Sequence, residues 1–252
     1  MADEVMEVFF DVQSNLPRQG PGDRDSTRRA LALCNPLPSA PRVLDIGCGP
    51  GAQTIVLAAE LGDARITAID IHEPYLVELQ RRAAVAGVSD WVAAEKMSME
   101  EMTFSPETFD LIWAEGSAYS MGFLKAVAAW RPLLKQGGFL AVTELVWLTE
   151  DKPVEAVEFF RQEYPDMMDG AGIVEGMRAA GYELIDNFTL PDSAWWDAYY
   201  TPLLARLPAL ESKYAGDATG LSVIAAARKE VEIRRCFASS YGYEFFVARK
   251  TK

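Results

Sequence analysis

Between residues 42 and 147 the chain alternates short apolar runs with amphipathic stretches, and this alternation limits the fold more than any other feature. Runs rich in Val, Ile, Leu and Phe at 42–46, 65–71, 91–94, 109–114 and 138–147 have the length and composition of strands. The segments 52–62, 74–86 and 121–134 carry apolar residues at three-and-four spacing, which gives each a helix with one buried face. Strands separated by such helices form right-handed βαβ units, so a parallel sheet covered on both faces is expected. After residue 150 the pattern changes to helices over 153–163 and 172–180, a strand at 182–190, a mostly helical insert over 192–238 and a last strand at 241–248. Ahead of the first strand, helices are expected at 3–13 and 24–34, joined by the turn-forming stretch from Arg18 to Asp23. The expected organisation is one domain over 1–252. Its core spans 40–190 and 240–250, and its cap combines 1–36 with 192–238.

Composition removes several function classes. At 252 residues, 50% hydrophobic and 24% charged, the chain can bury a core without a disulfide or metal staple. Cys34, Cys48 and Cys236 are an odd, widely spaced set with no CxxC, so no metal site is expected and a reducing cytoplasm suits them. The first residues are acidic where a signal peptide is basic, and no apolar run reaches the ~18–20 residues that span a bilayer. A cytoplasmic location without a membrane partner is therefore expected. The net charge of −13, from 24 basic against 37 acidic residues, repels phosphate backbones and disfavours nucleic acid as a substrate. That charge is uneven: residues 1–194 are net −16 and 195–252 are net +3, which marks the C-terminal part as a separate element. His72 is the only histidine, so a Ser-His-Asp or Cys-His mechanism would rest on it alone.

The chemistry centres on Val43-Leu44-Asp45-Ile46-Gly47-Cys48-Gly49-Pro50-Gly51, a glycine-rich turn between the first strand and a helix. Glycines there let a ligand lie against bare backbone. Read as Gly47-x-Gly49-x-x-Ala52, the turn satisfies the dinucleotide pattern, so an NAD(P)-dependent oxidoreductase is the first alternative. Asp45, two positions before the first glycine, argues the other way. A carboxylate on the strand tip repels a pyrophosphate, whereas S-adenosylmethionine has no phosphate and brings an ammonium and a sulfonium.

VLDIGCGPG resembles motif I of the class I S-adenosylmethionine-dependent methyltransferases. Four further segments resemble that family at matching positions: Ile69-Asp70-Ile71, Lys96-Met97-Ser98-Met99, Phe109 to Gly116, and the Leu133 to Phe139 glycine turn. The order of EGSAYSMGF and TELVWLTEDKP is similar to small-molecule members related to the ubiquinone/menaquinone-biosynthesis methyltransferases. The resemblance implies a Rossmann-like α/β fold of seven strands, mostly parallel, with the last strand antiparallel between the fifth and sixth. It also implies S-adenosylmethionine as cofactor. On this basis Asp45, Gly47, Cys48, Gly49, Asp70, Ile71, Met97, Ser98, Met99 and Glu115 are assigned to the cofactor, with Asp70 on the ribose hydroxyls. Ser98 stands where many members have an acid, so the adenine contact there falls to its hydroxyl or to backbone groups.

The acceptor is expected at the ends of the fourth and fifth strands, against Tyr119, Glu144, Trp147, Trp195 and Tyr200. Glu115 and Glu144 are the candidate bases. For Trp195, Trp196, Tyr199 and Tyr200, core packing and a substrate-facing lid both remain open, and the Arg228 to Arg235 stretch is read as a solvated helix face. His72, one residue past Ile71, belongs on the adenosine side, away from the reacting methyl. The expected partner is a small-molecule methyl acceptor with an O, N or C nucleophile, and a homodimer is one admissible assembly. The second alternative is a cofactor-binding but non-catalytic protein partner.

Overall fold

The structure, a computed structural model, describes residues 2–251. Seven strands, β1 (Arg42–Ile46), β2 (Arg65–Asp70), β3 (Val92–Lys96), β4 (Phe109–Glu115), β5 (Leu134–Trp147), β6 (Tyr182–Thr189) and β7 (Tyr241–Lys250), form one sheet in the order β3-β2-β1-β4-β5-β7-β6. The pairings β3-β2, β2-β1, β1-β4 and β4-β5 are parallel, while β7 runs antiparallel to both β5 and β6. This is the seven-stranded Rossmann-like methyltransferase sheet expected from the sequence. Strand order reverses between β1 and β4, and the carboxyl ends beside such a switch point are where open α/β sheets bind ligands.

The strands read as continuous apolar runs because each is buried on both faces. Leu44, Ile112, Leu140 and Phe246 point to one side, against α5 (Phe123–Trp130) and α7 (Gly170–Ala179). Their chain neighbours Val43, Leu111, Phe139 and Val247 point to the other, against α2 (Arg24–Leu33) and α3 (Ala52–Leu61). α4 (Glu73–Ala86) completes the helical layer beside β2, burying Leu76 and Leu79. Side-chain caps fix two of these helix starts, with Asp23 accepting from Ser26 N and Asp169 from Gly172 N.

A third cluster forms the cap. It joins α1 (Ala2–Gln13), α6 (Val154–Glu163), α8 (Ser193–Trp195), the π-helical turn Trp196–Tyr200, α9 (Thr201–Lys213) and α10 (Ala218–Phe237) through residues such as Val8, Val12, Phe160, Leu203, Leu207 and Ile224. Asp11 ties α1 to α9 by accepting from Lys213 Nζ at 2.7 Å and Tyr214 Oη at 2.9 Å. The Gly22 N–H donates to Ala194 O at 3.0 Å, so the N-terminal segment and the C-terminal insert are stitched directly together.

The boundary between the helix expected over 121–134 and the fifth strand departs most from the sequence reading, with α5 ending at Trp130. The fifth strand begins at Leu134 rather than 138 and carries the Gly137-Gly138 turn within it, because the register against β4 slips there from Phe109↔Leu134 to Leu111↔Phe139. Lys135 closes the slip by donating to both oxygens of Asp110, at 2.8 and 2.9 Å.

Candidate active site

The glycine turn is built by exclusion. A Cβ on Gly47 would lie 2.5 Å from Ser117 Cβ, and one on Gly51 would lie 2.1 Å from Leu79 Cδ1; both glycines have positive φ. The Gly47 and Cys48 amides donate to Ile69 O at 2.9 and 3.0 Å, which fixes the turn on the tip of β2. Asp70 closes the arrangement: Oδ2 accepts from Gly49 N at 2.9 Å and Oδ1 from His72 N at 2.8 Å. The Gly49 amide that a pyrophosphate would need is thus already taken by a carboxylate, which favours a phosphate-free ligand over a dinucleotide. Burial raises the Asp70 carboxyl from its ordinary value, and the backbone donors at His72 and Gly49 oppose that rise.

A cleft runs from this turn across the ends of β1, β2 and β4. Gly47, Cys48, Gly49, Asp70, Ile71, Met99 and Glu115 line it, and an adjoining recess is lined by Met97, Ser98, Met99 and Ile71. Nine of the ten sequence-assigned cofactor residues therefore meet at one place. Ile71 is 56% exposed, an apolar side chain held open at the rim, as a flat ring system would require. The glycine cradle, the apolar rim and the acidic floor fit S-adenosylmethionine.

Asp45 is the exception and a correction. It is completely buried beneath the turn, where Oδ2 accepts from Thr54 Oγ1 at 2.6 Å and Oδ1 from Gln53 Nε2 at 3.2 Å. Burial pushes its carboxyl up to about 7. Gln53, which the sequence reading missed, lines the cleft in its place.

Glu115 borders the cleft but is no free base. Arg18 pairs with its Oε2, while Oε1 accepts from Thr27 Oγ1 at 2.8 Å and Trp113 Nε1 at 2.9 Å. Both oxygens are engaged, so Glu115 fastens the cap loop to the end of β4. His72 stacks on Phe10 with ring centroids 3.8 Å apart, on the far side of the cleft from β5.

Beside the cleft lies a cavity of about 230 Å³ that shares Phe9, Gln13, Gln19, Gly116 and Tyr119 with it. Aromatic side chains from several separate segments form its wall, Tyr119, Tyr164, Trp195, Tyr199, Tyr200 and Tyr243 among them, with the carboxylates Glu163 and Glu230. Tyr119, Trp195 and Tyr200 lie where the sequence reading expected acceptor contacts. Trp195 and Tyr200 also belong to the cap core, so the packing and lining readings both apply to them.

Glu144 and Trp147 do not line this cavity. Glu144 is sealed in the sheet with Oε1 on its own neighbour Leu145 N at 3.0 Å, and burial pushes it up to about 7. Trp147, edge-on to Phe160 and Tyr241, faces a separate groove just past the same end of β5, beside Lys152 and Asp169. Leu145, which alternates with Glu144 along β5, lines the cavity instead, together with its β7 partner Tyr243. Arg18, Gln13, Tyr164 and Glu230 were missed. For Glu230 a signal existed: it falls three residues after Ala227 and four before buried Arg234 on one face of α10.

Residues 43–138 match the methyltransferase domain family. That stretch carries the methyltransferase domain, and the chain is similar to S-adenosylmethionine-dependent methyltransferases. Over 87% of its length it is 27% identical to 27-O-demethylrifamycin SV methyltransferase from Amycolatopsis mediterranei, covering 81% of that enzyme. It is 30% identical to an uncharacterised Synechococcus protein over 61% of this chain, but spans only 35% of that relative's length. In fold this methyltransferase resembles one from Geobacter sulfurreducens solved with S-adenosylhomocysteine, with a TM-score of 0.82 at 17% identity over 96% of this chain and 97% of that one. Its cofactor is S-adenosylmethionine.

Proposed function

We propose that this methyltransferase methylates an O, N or C nucleophile of a small molecule held in the aromatic cavity. The observation that carries the reading is the shared wall: Gly116 and Tyr119, just past the end of β4, border both the cofactor cleft and the cavity. The rifamycin relative, itself a small-molecule methyltransferase by name, agrees with such an acceptor.

Bound S-adenosylmethionine supplies an already activated methyl group. The chain's own work is then positioning. Asp70 would accept the ribose hydroxyls, Ile71, Met97, Ser98 and Met99 would hold the adenine, and Gly47, Cys48, Gly49 and Gln53 would border the amino-acid end. Holding the acceptor in line about 3–3.5 Å from the methyl carbon is worth on the order of 7–11 kcal/mol. Water is excluded by a cap of α1, the Arg18–Gly22 loop and the insert from α8 to α10, carried on one domain with the sheet. Glu115 is committed to Arg18, so any base assistance from the two candidate glutamates falls to Glu144 acting through Tyr164, whose side chain is next to it.

No helix among the described residues is long and apolar enough to cross a membrane. The free cysteines fit a reducing cytoplasm, and the net charge of −13 fits a small acceptor better than a nucleic acid. The test is incubation of the purified protein with S-adenosylmethionine and a panel of small phenols, amines and enolates, with mass-spectrometric detection of both products. S-adenosylhomocysteine should accumulate in step with one methylated acceptor. Binding of NADH without binding of S-adenosylhomocysteine overturns the reading.

A further inference from the structure

Among the described residues, the aromatic cavity is lined by two carboxylates and no basic side chain. That imbalance is unexpected on α10, which carries Arg228, Lys229, Arg234 and Arg235 within two turns of Glu230. Each of these cations is engaged elsewhere. Arg228 pairs with Glu211 at 2.7 Å, Lys229 with Glu155 at 3.0 Å and Arg234 with Asp192 at 2.8 Å, while Arg235 lies over the Trp196 ring. Glu230 is left facing the cavity with a single bond, its Oε1 accepting from Tyr200 Oη at 2.8 Å. Among the described residues, Oε2 has no hydrogen-bond partner.

We infer that Glu230, held by Tyr200 and faced by the rings of Tyr119, Tyr164 and Tyr199, is the specificity residue that selects acceptors bearing an amine carried as a cation. The inference rests on the cavity being the acceptor site. Its physical basis is the wall itself. Aromatic faces attract a desolvated cation, and a carboxylate with a free oxygen supplies the matching charge, whereas the same wall rejects an anion. Glu163, across the cavity on α6, adds to the negative field without a competing bond to Glu230. The remainder of the acceptor would be apolar or aromatic, since Leu145, Phe159 and Phe160 complete the lining.

The discriminating experiment is calorimetric titration of the full chain, saturated with S-adenosylhomocysteine, using three probes of one shape: tyramine, 4-ethylphenol and 4-hydroxyphenylacetate. Tyramine is expected to bind at least tenfold more tightly than either of the others. Glu230→Gln should remove that preference while S-adenosylhomocysteine affinity stays within twofold of wild type, and Glu230→Asp should retain part of it. Equal affinity for the three probes, no binding of tyramine, or an unchanged preference in Glu230→Gln overturns the inference. If Glu230→Gln fails to fold, Glu230→Asp in the same titration decides the matter: an undiminished preference for tyramine in Glu230→Asp overturns it. Failure of the methyl-transfer reading has a different signature, namely loss of S-adenosylhomocysteine binding itself.

Discussion

The cofactor cleft and the aromatic cavity adjoin, yet they are built in opposite ways. The cleft draws on strand tips and the turns after them, at 47–49, 70–71, 97–99 and 115–120, fixed by backbone bonds such as those of Gly47 and Cys48 to Ile69 O. The cavity draws on α1, the end of β4, α6, the 193–200 segment, α10 and β7, and is held together by side chains. The floor of the cleft is a property of the sheet, with α1 and the loop after it lying over it, while the cavity is a property of how the cap sits on the sheet. A sheet with this topology can keep its cofactor while the cap residues change what is methylated.

The Arg18–Glu115 pair couples the two regions, because Arg18 lies in the cap loop and Glu115 ends β4. Both side chains are nearly buried, at 9% and 3% exposure, so breaking the pair leaves a charge without a partner. Arg18→Met is expected to lose about 3–5 kcal/mol in denaturant unfolding, the largest of the expected effects. Adding Glu115→Gln should recover part of that loss by removing the orphaned charge. A single variant within about 1 kcal/mol of wild type would separate the cap from the sheet energetically.

Beneath the cleft, Asp45 makes stability depend on pH. Its folded value of about 7 lies above the ordinary 3.8, so the native state holds a proton that the unfolded state releases. The stabilising contribution is complete below about pH 4 and is lost as pH rises through 7. At about 1.36 kcal/mol per unit, the span is on the order of 4 kcal/mol. Glu144, also raised to about 7 by burial, adds a slope of the same sign. Asp45→Asn should flatten the fall in stability between about pH 4 and 7, measured by urea unfolding at each pH. An unchanged slope would assign the dependence to Glu144 and other groups.

These two residues also mark where sequence reading succeeds and fails. Asp45 was legible as the motif acid, but its burial was not, since only the packing of α3 brings Thr54 and Gln53 onto its oxygens. The alternation of runs identified the strands because both faces of the sheet are covered. The cavity was legible only as Tyr119 past the fourth strand and a group of aromatics near residue 195. Phe9, Tyr164 and Tyr243 are far apart in the chain, and no local pattern records that they converge. Trp147 shows the limit of reasoning from a strand end alone: it lies two residues past Leu145 on the same strand, yet faces a different groove, because the covering helices and the twist of β5 decide what each side chain meets.

Asp70 tests the cleft by itself. Hydrogen bonds to a charged acceptor contribute about 1.5–3 kcal/mol each. Asp70→Ala should therefore weaken S-adenosylhomocysteine binding by about one to two powers of ten or more in calorimetric titration, and it also frees the Gly49 and His72 amides. An affinity within twofold of wild type removes Asp70 from the cofactor site. Asp70→Asn, which retains one acceptor oxygen, should fall between the two.

Tyr119 probes the shared wall, where the expected effect is smallest. The residue is 45% exposed and its ring is edge-on to Tyr164 at 6.2 Å, so losing the hydroxyl leaves the ring packing in place. Tyr119→Phe should keep S-adenosylhomocysteine affinity within about twofold, since a hydroxyl that bonds only to acceptor contributes nothing to the binary complex. If that hydroxyl makes one ordinary hydrogen bond to the acceptor, worth about 0.5–1.5 kcal/mol, turnover with limiting acceptor should drop roughly two- to tenfold. The comparison sharpens if the loss appears in kcat/KM for the acceptor alone. It breaks if Tyr119→Phe weakens the cofactor as much as Asp70→Ala does, because the wall would then belong to the cleft, and the cavity would need another route to the methyl group.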